Sequence, residues 1–339
     1  MTDPVLTVKD LRVSFQTQRG LVRAVDGVSF TLMPSERFGL VGESGSGKST
    51  TALSLLGLIK PPGRIDGGEV HLDGRDLFSL SYDQMRRARL ADLALIPQGA
   101  MNSLNPVATV KNQIIDGLKD HDVKSPKDEL DERVTFLLGK VGLEPSVADM
   151  YPHELSGGMK QRVTIAISIS MNPKLIIADE PTSALDVVTQ MQVMETLVEL
   201  QEEIGAALVM IGHDMGLMAQ VVDRIGVMYA GKLVEVGTVR DILETPFHPY
   251  TKMLVGSLPS LESKKTRVTR PQGIPGITPS LYDLPTGCAF YPRCPKVMKQ
   301  CSEITPSMIE IEVGRTTACH LHEGAIEKIE RQDGIPTQA

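Results

Sequence analysis

The chain has 339 residues, of which 41% are hydrophobic and 23% are charged, and its formal net charge is −7. These values describe a globular protein with a sizeable core and room for two domains, and the missing basic run argues against nucleic acid as a partner. No apolar run approaches the roughly 20 residues that span a bilayer, and the N-terminus carries no signal-peptide pattern, so we expect a cytoplasmic protein.

Two β-rich stretches open the chain. Residues 6–15 alternate apolar and polar side chains, as a half-buried strand does, and residues 21–32 form a second stretch of the same kind. The first stretch ends in Phe15, about thirty residues before the glycine-rich loop described next. Its ring either stacks on a nucleotide base or belongs to an ordinary core, and the residues alone leave both interpretations open.

A glycine-rich loop follows the apolar residues 38–41 and precedes a helical stretch. Its pattern, GxxxxGK[ST], is typical of a phosphate-binding loop, in which glycines let backbone N–H groups point at phosphate oxygens and a helix N-terminus adds its dipole. Lys48 is expected to reach the β- and γ-phosphates, and the Ser49 hydroxyl to ligate Mg²⁺. We therefore predict a nucleoside triphosphate site built from Gly42, Glu43, Ser44, Gly45, Ser46, Gly47, Lys48, Ser49 and Thr50.

The middle of the chain is predicted to hold short strands followed by a helical insertion. Residues 67–74 indicate a strand and a hairpin, and residues 93–98 a buried strand that ends in a proline and Gln98. Residues 110–142 have a helical period with an acidic, solvated face. We therefore expect a helical subdomain over about residues 99–170, between two β-rich blocks.

A second glycine-rich turn opens a helix that we expect to reach Ser170. The turn contains Ser156, Gly157 and Gly158, and a glycine-rich turn at a helix N-terminus is a potential anion site.

Polar residues end the buried strands on either side of that helix. One strand ends in Asp179 and Glu180, another ends in His213, and Gln98 stands at the corresponding place of a third. Ligand-contacting residues gather at the carboxyl ends of strands in α/β sheets. Asp179 is placed to hold Mg²⁺ and Glu180 to polarise an attacking water, and the alternative for this pair is an ordinary turn at the end of a strand. His213 is placed to hydrogen-bond a γ-phosphate, and the alternative is a structural histidine.

All four cysteines lie near the C-terminus, with five, six and seventeen residues between successive members: Cys288, Cys294, Cys301 and Cys319. Four soft thiolates suit an iron–sulfur cluster or zinc, although the spacing matches neither the ferredoxin runs nor the paired zinc hooks. His320 and His322 keep a mixed zinc site open, and unliganded buried cysteines are a further alternative. Residues from about 323 onward are polar, and we expect them to be frayed.

Taken together and in this order, the motifs from residue 6 to about 261 resemble the nucleotide-binding subunit of an ATP-binding-cassette (ABC) transporter. The resemblance implies an α/β P-loop fold with a mixed sheet core, an antiparallel β subdomain and a helical subdomain. It assigns residues 42–49 to Walker A, Gln98 to the Q-loop, Asp179 to Walker B, Glu180 to the catalytic glutamate and residues 183–186 to the D-loop. His213 then matches the switch histidine and Phe15 the adenine-stacking aromatic residue, and Ser49, Gln98 and Asp179 are expected around Mg²⁺.

Residues 155–159 match the signature Leu-Ser-Gly-Gly-Gln of that family, except that Met159 replaces the glutamine. In the family two cassettes pair head to tail, so the resemblance implies that Ser156, Gly157 and Gly158 contact ATP held mainly by a partner chain. It also implies two integral membrane permease subunits, a second and paralogous cassette, and an extracytoplasmic substrate-binding protein acting indirectly. The chain is then expected to lie peripherally on the cytoplasmic side of the inner membrane.

Residues 245–251, 287–295 and 151–154 are similar to the oligopeptide and dipeptide importers of the family, a branch that also carries nickel or oligosaccharides. This resemblance implies a cassette at 1–261 and an extension at 262–339, whose four cysteines hold a [4Fe–4S] cluster in that branch. We expect an ATPase that powers peptide import. A soluble cassette ATPase uncoupled from transport and a metal-dependent regulatory protein are the hypotheses from other classes.

Overall fold

The computed structural model describes residues 3–99, 103–183, 185–258 and 273–325. Its strands are β1 (Leu6–Thr17), β2 (Gly20–Leu32), β3 (Arg37–Val41), β4 (Gly63–Leu72), β5 (Arg75–Asp76), β6 (Leu93–Ile96), β7 (Leu175–Asp179), β8 (Ala207–Ile211), β9 (Arg224–Tyr229), β10 (Lys232–Thr238), β11 (Ile309–Glu312) and β12 (Arg315–Thr317). Its α-helices are α1 (Lys48–Leu55), α2 (Tyr82–Ala91), α3 (Val110–Lys119), α4 (Lys127–Lys140), α5 (Gly157–Ile169), α6 (Val187–Ile204), α7 (Met215–Val221), α8 (Val239–Glu244) and α9 (Pro249–Gly256).

The first sheet is antiparallel and has the order β2-β1-β4-β5. Alternation along β1, shifted by one residue at an irregularity between Val8 and Leu11, buries one row of side chains, Leu6, Val8, Leu11 and Val13, and leaves the residues between them more exposed. This row packs in one core with Phe38 of the second sheet and with the buried face of α1. The first sheet thereby covers the helix that follows the glycine-rich loop.

The second sheet has eight strands in the order β11-β12-β10-β9-β3-β8-β7-β6. Strands β9, β3, β8, β7 and β6 are parallel, while β10, β11 and β12 pair antiparallel at the other end. The parallel strands are buried on both faces and consist of continuous apolar runs. Because their carboxyl ends meet at one edge, the loops after β3, β6, β7 and β8 meet there too.

The helical subdomain packs α3, α4 and α5 together through apolar side chains such as Ile114, Leu138 and Val163. These side chains belong to one core that continues into the second sheet through Ile176 and Leu208. The α/β class, with a mixed sheet core, an antiparallel sheet and a helical subdomain, is therefore confirmed.

The C-terminal extension adds two short strands to the second sheet, since Glu235 and Val236 of β10 pair with Thr317 and Thr316 of β12. Phe290 is buried against the rings of Tyr229 and Tyr250. The expected domain boundary at 261/262 lies outside the described residues, and so does the expected frayed end from about residue 323, apart from residues 323–325. None of the helices in the described parts is long and apolar enough to cross a membrane.

Candidate active site

The glycine-rich loop connects β3 to α1, and two of its glycines are required by geometry. Gly42 has φ of 149°, and a Cβ there would lie 2.2 Å from the carbonyl oxygen of Met228. Gly47 has φ of 104°, and its Cβ would lie 2.3 Å from the Ala24 carbonyl oxygen. A side chain at either position meets backbone that cannot move aside, so the sharp turn of the loop depends on glycine.

Lys48 begins α1 and points back over the loop, with only 6% of the residue exposed. Its Nζ donates to the carbonyl oxygens of Gly42 at 2.8 Å and Glu43 at 3.0 Å. Burial lowers the pKa of Lys48, and the carboxylates of Glu180, Asp179 and Glu43 oppose that shift. The ammonium group is therefore a buried positive charge facing the loop, as triphosphate recognition requires.

Ser49 and Asp179 bring the loop and the end of β7 together. The Ser49 hydroxyl donates to Asp179 Oδ1 at 3.1 Å. Burial raises the pKa of Asp179, and the hydrogen bond from Ser49 opposes that shift. A hydroxyl and a carboxylate side by side are hard oxygen donors of the type that Mg²⁺ prefers, so these residues fit the predicted metal.

Glu180, directly after β7, is contacted by both of the other polar residues that end strands. Its Oε2 accepts from Gln98 Nε2 at 2.9 Å, and its Oε1 lies 3.3 Å from His213 Nδ1. Its backbone N–H donates to Ile211 of β8 at 2.9 Å, which fixes the residue at φ 45°. The structure thus gathers Gln98, Glu180 and His213 at one sheet edge, where a carboxylate is held between an amide and an imidazole.

Ser156 lies apart from this group at the N-terminus of α5. Its exposed side chain caps the helix by accepting from the Met159 N–H at 3.3 Å. Among the hydrogen bonds of the described residues, none joins Ser156 to the glycine-rich loop. The structure therefore brings together Lys48, Ser49, Asp179, Glu180, Gln98 and His213, and among the described residues Ser156 makes no hydrogen bond to this group.

The prediction of a metal site at the four cysteines, either a [4Fe–4S] cluster or zinc, is wrong. Within residues 3–99, 103–183, 185–258 and 273–325, no group of three or more His, Cys, Asp or Glu side chains is arranged to hold a metal ion, and these ranges contain Cys288, Cys294, Cys301 and Cys319. Clustering along the chain therefore does not produce a coordinating arrangement of the four sulfurs.

The thiols and the nearby histidines have other contacts. Burial raises the pKa of Cys288 and Cys294, and that of Cys319 to about 11. Cys301 is buried, and its Sγ accepts from the Met298 N–H at 3.4 Å. Both ring nitrogens of His320 are engaged, one with Glu323 and one with the Ile304 carbonyl oxygen, and His322 bonds to Phe247.

Sequence reasoning missed the residues that hold Glu43 in the loop. Arg293 and Thr278 contact its carboxylate, and the Tyr250 hydroxyl accepts from its N–H at 2.9 Å. Tyr250 and Arg293 lie in the stretches 245–251 and 287–295, which carry the similarity to peptide importers. No local pattern signals a contact across 250 residues.

A phosphate-binding loop between a strand and a helix, with Asp179 and Glu180 ending the adjacent strand, defines a P-loop ATPase of the ABC type. Residues 25–183 match the model of the ABC transporter family, and residues 234–301 match that of the oligopeptide/dipeptide transporter C-terminal region.

Two relatives match nearly the whole chain. The dipeptide transport ATP-binding protein DppD of Haemophilus influenzae is 45% identical over 93% of this chain and 95% of its own. The oligopeptide transport ATP-binding protein OppD of Escherichia coli is 44% identical over 94% of this chain and 93% of its own. The chain belongs to the ABC transporter family of ATPases, in its oligopeptide/dipeptide branch.

Solved structures agree with this assignment. The dimeric post-hydrolysis state of the ATP-binding cassette MJ0796, bound to ADP and Pi, superposes with a TM-score of 0.62 at 28% identity, covering 69% of this chain and 99% of that one. The structure of cbiO1 from Clostridium perfringens, part of the ABC transporter complex cbiONQ, superposes with a TM-score of 0.60 at 27% identity, covering 72% of this chain and 92% of that one.

Proposed function

We propose that this chain is the ATP-hydrolysing subunit that powers an ABC importer for dipeptides or oligopeptides. The observation that carries the proposal is the likeness to dipeptide and oligopeptide transport ATP-binding proteins, which extends through the C-terminal region at 234–301. Nickel or oligosaccharides are alternative cargoes of the same branch, and a soluble ATPase uncoupled from transport is the alternative from another class.

In this proposal ATP lies over the glycine-rich loop, where Lys48 contacts the β- and γ-phosphates. Ser49 and Asp179, with Gln98, would hold Mg²⁺, which supplies charge neutralisation at the phosphates. Glu180 is the general base, and its two partners keep the carboxylate aimed at an attacking water. Phe15, which lines a cleft with Ser44 and Gly45, is the surface on which adenine stacks.

In this proposal a single chain supplies only half of the site, and the support is that no hydrogen bond among the described residues joins Ser156 to the chain's own loop. We propose that these residues contact ATP held by a second, paralogous cassette, as one loop cannot surround a γ-phosphate. Closing on ATP and opening after hydrolysis is a two-state switch biased by the ligand. Two integral membrane permease subunits would receive that movement, with the chain held peripherally on the cytoplasmic side of the membrane, and an extracytoplasmic binding protein would deliver cargo.

Replacing Ser156 with alanine tests the pairing. We expect hydrolysis in the assembled transporter to fall about tenfold to a hundredfold, because one donor to the transferred phosphate is lost, while ATP affinity of the isolated chain stays unchanged. Thr109→Ala is the matched control, since Thr109 caps α3 in the same subdomain by accepting from the Asn112 N–H. Both variants lose a helix cap, so both lower stability by about 1 kcal/mol. Weaker ATP binding by the isolated Ser156→Ala chain would contradict the pairing.

Transport itself is tested by purifying the tagged chain from membranes. We expect two integral membrane subunits and a second cassette to copurify, and the hydrolysis rate in proteoliposomes to rise when binding protein loaded with a short peptide is added. Stimulation by nickel or an oligosaccharide instead would select another cargo of the branch. Recovery of the chain without membrane subunits would favour the soluble ATPase.

A further inference from the structure

The C-terminal extension reaches into the phosphate loop through Glu43. The guanidinium of Arg293 donates two hydrogen bonds to the Glu43 carboxylate, from Nη1 to Oε2 at 2.7 Å and from Nη2 to Oε1 at 2.9 Å. The Thr278 hydroxyl adds a third bond, to Oε2 at 2.9 Å. Together with the Tyr250 hydroxyl on its N–H, Glu43 is fixed by three side chains that lie outside the loop.

The Arg293 side chain is itself held in place by several contacts, so it can fix the position of the Glu43 carboxylate. Its side chain is 4% exposed, its Nε donates to the Pro275 carbonyl oxygen at 2.9 Å, and its Nη1 donates to the Tyr229 hydroxyl at 3.2 Å. The guanidinium also lies 5.9 Å from the ring centres of Tyr229 and Phe290. A planar fork with its donors satisfied and its faces packed has little freedom to follow a moving partner.

The same part of the extension borders the cleft assigned to the nucleotide base. Leu281 and Tyr282 line this cleft of ≈ 530 Å³ together with Phe15, Ser44 and Gly45. Tyr282 is half exposed, so its ring is available to a ligand in the cleft. The extension thus contacts the nucleotide site at two places, the loop and the base cleft.

We propose that the extension completes the nucleotide site, with Arg293 as a positioning residue that sets the phosphate loop through Glu43, and Tyr282 as a second aromatic contact for the base. This rests on the proposed roles of the loop and Phe15. Arg293 is expected to favour phosphate binding through its charge as well as through its position. Glu43 is a negative charge within a loop that binds phosphates, and the paired guanidinium cancels it.

Direct titration of the full-length chain with Mg²⁺ and either ATP or inorganic tripolyphosphate tests the proposal. Arg293→Gln is expected to raise the Kd of both ligands about tenfold, the size of an ordinary coupling between neighbouring residues. Tyr282→Ala is expected to raise the Kd of ATP about tenfold and to leave that of tripolyphosphate unchanged, because tripolyphosphate has no base to stack. The double variant Glu43→Gln/Arg293→Gln should bind tripolyphosphate better than Arg293→Gln, since no unpaired carboxylate remains.

Arg315→Gln is the matched control. Arg315 is a second buried arginine of the extension, but it pairs with Glu235 and Glu312 at 3.8 and 3.2 Å, and within the described part of the chain it makes no bond to the phosphate loop. This variant should lower the melting temperature without changing either Kd. Should Arg293→Gln also lose stability and keep the wild-type Kd for tripolyphosphate, Arg293 is only structural and the inference fails.

Thr278→Val keeps the inference testable if Arg293→Gln does not fold. It removes one hydrogen bond to Glu43 with little change in shape, and we expect the Kd of both ligands to rise about threefold. An unchanged Kd in Thr278→Val and in Tyr282→Ala would overturn the inference. Wild-type chain that binds neither ligand would instead refute the nucleotide site itself.

Discussion

Replacing Glu180 with glutamine is expected to slow ATP hydrolysis about a thousandfold and to leave ATP affinity within about threefold of wild type. Glutamine keeps the shape of the side chain. Its amide oxygen can still accept from Gln98, and its NH₂ group can face the imidazole of His213, so the arrangement of the three residues is preserved. What disappears is the basic carboxylate. Loss of a negative charge beside the triphosphate also favours binding slightly.

The measurement is phosphate release by the assembled transporter, set against equilibrium ATP binding and thermal unfolding of the same variant. Glu195→Gln is the control, because Glu195 is an exposed carboxylate on α6 and lies outside the site. It should match wild type in all three measurements. Near-normal turnover in Glu180→Gln would remove Glu180 from the role of general base.

Much of the fold was predictable because its signals are local. The alternation in β1, the continuous apolar runs of β7 and β8 and the caps of α5 and α6 are each contained in about ten residues. The site could be predicted for the same reason, since parallel strands bring the residues that follow them to one edge whatever lies between. Glu180 meets Gln98 there across 82 positions of the chain and meets His213 across 33.

The extension could not be predicted in this way. Strand β12 has three residues and pairs with β10, which precedes it by about eighty residues, so neither its length nor its pattern is informative. Arg293 meets Glu43 across 250 residues for reasons of tertiary packing alone. The cysteine prediction failed because closeness along the chain does not ensure that three or more side chains surround one metal ion, and no such group occurs among the described residues.

Lys48 illustrates a conflict between stability and binding. A pKa lowered by burial means that the folded chain holds the proton less tightly than the unfolded chain, whose lysine titrates near 10.5. Below the lowered folded pKa the lysine is charged in both states, so its desolvation destabilises the fold there. This destabilisation diminishes as the pH rises from the lowered pKa of the folded chain towards 10.5, above which the lysine is neutral in both states.

Replacing Lys48 with methionine should therefore weaken ATP binding about a hundredfold or more, because charge-assisted hydrogen bonds to two phosphates are lost, without lowering the melting temperature. The free energy of unfolding of the variant should equal or exceed that of wild type at pH 7, and the difference should shrink as the pH approaches 10.5. Lys124→Met, at an exposed lysine between α3 and α4, is the control and should change neither quantity. A variant that unfolds readily at pH 7 would show that Lys48, through its bonds to Gly42 and Glu43, is needed to build the loop and not only to bind phosphate.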